Sequence, residues 1–239
     1  MPIRNICGEQ RVLALDDGTR IILNTDTRVV VSYDREARRV ELKEGEALFE
    51  VAKKPAWPFI VNAGERRIEA LGTSFVVRRD DRQLAVTLVE GKVAVSSTSA
   101  LQGSAERSDQ NSSSSEHPDA DTVMLVPGER IVFANAQPAK KDRPPLEKLL
   151  AWQRREVALD DATLADAVAE MNRYNRKPVQ IASAETANVR VTGLFRAGDS
   201  MNFARAVAEA YDLQVIEEPD RIVLSGVSAE LRTSAPIHP

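Results

Sequence analysis

From Arg11 to Phe133, apolar and polar positions alternate with a period of two. The runs RVLAL, TRIIL, RVVVSY, EALFEV, FIVNA, RRIEAL, SFVVR, LAVTLV and KVAVSS are short, rich in β-branched residues and bounded by turn residues, as half-buried strands are. Asp16-Asp17-Gly18 has hairpin chemistry, since Gly accepts positive φ and Asp can bond its own backbone. Gly45, Gly64, Gly91 and Gly128 stand just before or between runs. The phrases LKEGEALFEV, LVEGKVAV and LVPGERIVF repeat one pattern, a Gly followed by a strand, as stacked hairpins would. An all-β domain over 1–134 follows, either a sandwich or a solenoid-like roll; periodicity does not choose between them.

Three breaks punctuate the rest. Between about 97 and 121 the chain is Ser-rich and nearly free of large apolar groups, too little to offset the entropy of ordering it. Strand signals resume at TVMLV, so a disordered loop inside the first domain is expected there. Residues 135–145 read as a Pro- and Lys-rich linker, extended and semi-rigid. Residues 227–239 read as a disordered tail.

Over 146–226 the period changes. Leu146, Leu149, Leu150 and Trp152 or Gln153 predict a short amphipathic helix, and EVAL a strand. Asp160 or Asp161 is placed to N-cap a helix with Leu164, Ala167, Val168 and Met171 on one face, ended by Asn175 and Pro178. VQIA and NVRVTGLF read as strands. Asp199 or Ser200 caps a second helix facing inward through Phe203, Ala206, Val207 and Ala210, and LQVIEE and RIVLSG close as a hairpin. Ala-Val-Ala-Glu occurs in both helices, at Ala167 and Ala206. The expectation is a small α+β domain of two β-α-β-type units in tandem. Its short strand edges suit extension by a partner strand, through Val189, Val191, Leu194 and Phe195 or through the hairpin with Val215, Ile222 and Val223.

Composition narrows the function. Aromatics are 5% of the 239 residues, thin for a stacking surface, and the net charge is −4. The basic residues form short clusters (Arg35, Arg38, Arg39; Arg66, Arg67; Arg78, Arg79) with acids interleaved, not the sustained stripe that nucleic acid requires. One cysteine, Cys7, excludes an intrachain disulfide. The two histidines, His117 and His238, fall in the Ser-rich loop and the tail, so neither a zinc set nor a His-based triad is expected. No cofactor, metal site or enzymatic activity toward another molecule is read. Asp16 and Asp17 could suggest metal-binding carboxylates, but a hairpin turn is the simpler account. No apolar run approaches the roughly 18 to 20 residues of a membrane span, and MPIRNICGEQ lacks the apolar core of a leader. One bond stands out chemically. In LGTSFVV the hydroxyl of Thr73 can attack the Gly72 carbonyl if the backbone bends, converting amide to ester, which water cleaves. On the residues alone, a tight β-bend is by far the simpler account of Gly72-Thr73.

The order and spacing of CGEQRVLALDDGTRIILNTDTRVVV, VELKEGEALFEV, PFIVNAGERRIEALGTSFVVR and VTLVEGKVAVSS resemble the FecR domain. The back half, through Ala151-Trp152, Leu164, Asn172-Arg173-Tyr174, Gly193 and Phe195, resembles the C-terminal domain that follows it in this family, itself similar to the STN module of secretins and TonB-dependent receptors. Family members often carry a Gly near Arg155 and an aromatic near Leu159; both differ here. The resemblance implies the periplasmic region of a single-pass inner-membrane regulator, with a cytoplasmic anti-sigma segment and a membrane helix ahead of it. It implies binding to the signalling domain of a TonB-dependent outer-membrane transporter, control of an extracytoplasmic-function sigma factor, and a role in iron-chelate uptake. It also implies self-cleavage at Gly72-Thr73 in some members. The rival expectation is a periplasmic β-roll scaffold or glycan-binding module with a secretin-like oligomerisation domain.

Overall fold

The computed structural model describes residues 1–98, 122–134 and 137–226. The core of the expected Ser-rich loop, the expected tail and both histidines lie outside the described residues. The chain divides into two compact units, Met1–Leu146 and Glu147–Pro239.

The first unit contains β1 (Pro2–Arg4), β2 (Arg11–Ala14), β3 (Arg20–Leu23), β4 (Arg28–Tyr33), β5 (Arg38–Glu50), β6 (Phe59–Ala63), β7 (Arg66–Ala70), β8 (Ser74–Arg79), β9 (Gln83–Glu90), β10 (Val93–Ser97), β11 (Val123–Leu125), β12 (Arg130–Ala134) and β13 (Lys140–Asp142). Among the described residues they form one 13-stranded sheet that curls around an apolar core. The curl comes from β5. Its first part pairs with β4 and, in parallel, with β6. Its second part pairs with β3 and β8. Between them Gly45 takes φ +93°, and a Cβ there would lie 2.4 Å from Thr27 Oγ1 and 2.6 Å from Thr27 Cα. Only Gly fits such a bend, so one long strand passes from one half of the sheet to the other. The inner face carries Val40, Leu42, Ala47 and Phe49, all fully buried. Phe49 stacks on Phe75 at 5.1 Å and meets Phe59 at 6.0 Å.

Two expectations change in this unit. Part of the linker is a strand: β13 pairs with β12 in register Arg130↔Asp142. Arg130 binds Asp142 through two hydrogen bonds, 2.9 and 2.6 Å, while Glu129 accepts from Lys141 at 2.8 Å and from Arg143 at 3.1 Å. Lys141 and Arg143, expected in a semi-rigid linker, clamp the segment to the sheet. Arg38, one of a short basic cluster in the sequence, has a side chain with no exposure at all. Its NH1 donates to Asp17 Oδ2 at 2.6 Å and to Ala52 O at 3.0 Å, and its Nε to Trp57 O at 2.9 Å.

The second unit holds α1 (Leu146–Leu149, beginning at the boundary), a 3-10 turn (Ala151–Arg154), β14 (Glu156–Thr163), α2 (Leu164–Asn172), β15 (Val179–Ile181), α3 (Ala184–Ala187), β16 (Arg190–Arg196), α4 (Ser200–Tyr211), β17 (Leu213–Glu217) and β18 (Ile222–Gly226). Two strand-helix-strand phrases are present, but the strands are shared between two sheets. The opening strands pair with each other, β14 antiparallel to β16. The closing strands β15 and β17 flank β18, one parallel and one antiparallel. Neither phrase is therefore a β-α-β unit within one sheet, which is why each needs the other.

The helices differ from expectation in detail. Asp160 and Asp161 do not cap α2. They form a bulge in β14, with Asp161 at φ +48° and held by Arg190 at 2.7 and 3.0 Å. Thr163 caps instead, its hydroxyl accepting from Asp166 N. Asp199 caps α4, accepting from Asn202 N. The α4 core face is Phe203, Ala204, Val207 and Ala208, with Ala206 and Ala210 exposed. Asn172 pins β15 to α2, donating to Val179 O at 2.9 Å and accepting from Val179 N at 2.8 Å. Arg155 adopts φ +59°. A Gly there would adopt that conformation at less cost.

Candidate functional sites: a Gly-Thr cleft and open strand edges

The Gly72-Thr73 bond lies between β7 and β8, at the floor of a cleft of about 400 Å³ lined also by Gly18, Arg20, Glu50, Lys53 and Glu90. Gly72 takes φ +114°, and a Cβ on it would fall 2.2 Å from Lys53 Cγ and 2.9 Å from Lys53 Cα. Both the conformation and the space restrict the position to Gly. Thr73 is buried, its carbonyl accepts from Val51 N at 2.9 Å, and its Oγ1 has no hydrogen-bond partner among the described residues. A buried hydroxyl left unpaired costs about 1–3 kcal/mol, so such a group requires a reason. The hydroxyl adjoins the carbonyl of Gly72, a residue held at positive φ. Gly91, at φ +91°, provides the space, since a Cβ there would lie 2.7 Å from Thr73 Cγ2.

Asp17 is not a metal ligand. It bonds Arg38 and accepts from both the hydroxyl and the N–H of Thr19, at 2.6 and 3.2 Å. Burial pushes its carboxyl upward, but the Thr19 hydroxyl, Arg38 and the Thr19 N–H outweigh this and hold it below the usual carboxylate range. Among the described residues no group of three or more His, Cys, Asp or Glu is arranged to hold a metal.

In the second unit the expected partner residues separate. Among the described residues β16 pairs only with β14, which leaves its outer edge without a strand. Leu194 is 58% exposed there, while Val191 is buried and Phe195 packs edge-on against Phe203 at 5.0 Å. Val189 offers no edge: its N–H donates to Thr186 O and its carbonyl accepts from Leu164 N. Val215 lies on β17, an edge strand of the three-stranded sheet, beside the exposed Ile216. Ile222 and Val223 lie on β18, the central strand, with both edges occupied. The hairpin thus presents one edge, not two. Ile216 was missed by the sequence reading, although alternation within LQVIEE marks it as an outward position.

The protein is therefore a two-unit chain whose first unit is a curled all-β domain and whose second is a small α+β unit. Residues 3–94 match the family model described as FecR protein. Two crystal structures of a "putative anti-sigma factor" from Parabacteroides distasonis, at 2.50 and 1.65 Å resolution, share its fold, with TM-scores of 0.75 and 0.76. Each is 22% identical, and the match covers 95% of this chain and 99% or 100% of theirs. A search of curated proteins found no match. Among the described residues no helix is long and apolar enough to cross a membrane.

Proposed function

We propose that this chain is the periplasmic, signal-receiving region of a regulator that controls an extracytoplasmic-function sigma factor. Its input is the signalling domain of a TonB-dependent outer-membrane transporter, with iron-chelate uptake the process served. The match to the FecR model and the fold shared with proteins described as anti-sigma factors support a regulator. The observation that carries the contact is that, among the edge strands of a unit whose sequence resembles an STN module, β16 and β17 each bear an exposed large apolar residue. An unpaired edge offers a row of backbone donors and acceptors, and the exposed Leu194 and Ile216 add apolar contacts that select the partner.

The test is titration of the full chain with the isolated signalling domains of its organism's TonB-dependent transporters, one at a time. One domain is expected to bind, and Leu194→Glu or Ile216→Glu to weaken it about tenfold or more, roughly 1.4 kcal/mol. Binding untouched by either substitution removes the edge contact, and binding by none removes the receiver reading.

A second reading rests on a separate observation, the unpartnered Thr73 hydroxyl beside Gly72. The chain cleaves its own Gly72-Thr73 bond through an ester intermediate. Intact mass under denaturing conditions is expected to show two fragments, and a single chain for Thr73→Ala.

A further inference from the structure

Among the described residues the second unit has four edge strands, β14 and β16 in one sheet, β15 and β17 in the other. They are not equivalent. β14 is bulged at Asp160 and Asp161, opposite Thr192, and a bulge carrying charge deters a further strand. β15 gives the N–H and carbonyl of Val179 to the side chain of Asn172. β17 is bracketed by acids, Asp212 just before it and Glu217 and Glu218 at its close. In β16, Val189 O accepts from Leu164 N, and Ala197 N donates to Arg155 O at 2.8 Å. Odd-numbered residues therefore turn their backbone groups toward β14, and even-numbered ones turn theirs away. Of the latter, Arg190 O accepts from the Tyr211 hydroxyl and Arg196 O from Asp199 N. The N–H and carbonyl of Thr192 and Leu194 have no partner among the described residues.

Charge singles out the same strand. Among the described basic residues of this unit, Lys148, Arg154, Arg173, Lys177, Arg190 and Arg221 are each paired with an acid. Lys177, and more weakly Arg205, hold the Glu217 carboxyl below its ordinary range. The remaining three, Arg155, Arg176 and Arg196, are exposed, and their side chains make no hydrogen bond, ion pair or ring contact among the described residues. They gather at one end of β16. Arg196 ends the strand, and Arg155 is bonded to the next residue through its carbonyl. Tyr174, two residues before Arg176, has its carbonyl 4.0 Å from where a Cβ on Gly198 would lie. We propose that β16 takes an acidic, extended segment of a partner as an added strand. It pairs with the backbone at Thr192 and Leu194 and places carboxylates on Arg155, Arg176 and Arg196. The inference rests on the receiver reading, and the segment belongs to the transporter's signalling domain. Backbone pairing supplies affinity, while the guanidinium groups, each able to hold a carboxylate through two bonds, select an acidic strand over a neutral or basic one.

The experiment titrates the full chain with each isolated signalling domain of its organism's TonB-dependent transporters across a salt series. Amide hydrogen exchange is then followed in the complex that forms. Three chains are compared: wild type, the triple variant Arg155→Gln, Arg176→Gln, Arg196→Gln, and Arg205→Gln as an exposed arginine of the same unit outside the cluster. The wild-type affinity is expected to fall as salt rises. The triple variant is expected to bind about tenfold more weakly at low salt and to lose most of that salt dependence, with Arg205→Gln close to wild type. The amides of Thr192 and Leu194 are expected to gain protection in the wild-type complex. Urea midpoints of the variants read folding separately. Binding by the triple variant with the wild-type affinity and salt dependence would remove the acidic segment and leave the receiver reading in place. A complex in which Thr192 and Leu194 exchange as in the free chain would overturn the β16 placement, again leaving the receiver reading. Binding by no domain would overturn both.

Discussion

Arg38 and Asp17 show how much one pair of side chains organises. Asp17 lies within the β2–β3 turn, Arg38 opens β5, and the contact joins them to the segment around Trp57 through backbone carbonyls. The second guanidinium nitrogen of Arg38 is buried without an acceptor among the described residues, but the group lies over the rings of Trp57 and Phe59 at 5.6 and 5.5 Å. Cation–π attraction offsets part of that loss. Arg38→Met is expected to strand Asp17 as a buried charge and cost about 3–5 kcal/mol in urea unfolding. Arg38→Met with Asp17→Asn should recover part of it, because the cost is the orphaned charge, not the missing bond. The pH dependence has a fixed sign. A carboxyl held below its ordinary 3.8 contributes stability that is complete above that value and lost as pH falls through the lowered one. The Asp-Gly turn was legible in the sequence; its partner was not, because the pair is distant along the chain and Arg38 sits in a basic run. Alternation held the missing signal, since Arg38 shares the inward face of β5 with Val40 and Leu42.

Strands and helices were read by period, and the misreadings lie where another force set the boundary. The β13 segment looked like linker because Pro and Lys dominate it, but pairing with β12 and the clamp on Glu129 and Asp142 override that composition. Lys141 and Arg143 hold the Glu129 carboxyl down to about 2, so this clamp persists well into acid. The start of α2 moved from Asp160 or Asp161 to Thr163 because pairing with β16 extends β14 through a bulge. The curl of the sheet was not legible at all, since alternation continues on both sides of the bend in β5. The bend depends on Gly45, and its cost can be measured against Gly128, which has φ +85° but nothing within 4 Å of a Cβ. Gly128→Ala carries only the conformational penalty, about 1–2 kcal/mol. Gly45→Ala adds a collision with the backbone of Thr27 and Asp26 and is expected to cost at least about twice as much in urea unfolding. Equal losses would show that the bend relaxes around a side chain.

On the scale of the whole chain, the place of the Gly72-Thr73 bond sets what its cleavage could do. A cut there leaves β1 to β7 on one fragment and β8 to β18, with the entire second unit, on the other. The fragments are interleaved, not adjacent. β5 pairs with β8 from Gly45↔Arg79 to Glu50↔Ser74, and β7 with β10 from Arg66↔Ser97 to Ala70↔Val93. They also share the core, in which Phe49 of one stacks on Phe75 of the other. Breaking one backbone bond removes none of this burial, so the cut chain is expected to remain a single particle. Gel filtration in native buffer should give one peak containing both fragments, and denaturing gels two bands. Their separation in urea should coincide with loss of the β-sheet signal, because no smaller opening frees the paired strands. Separation well before unfolding would mean that the two halves of the sheet come apart as independent layers. With the coincident outcome, the cut would make the domain separable without separating it. A pull on the second unit would then act on the β5·β8 and β7·β10 pairings, since no peptide bond any longer joins the two fragments.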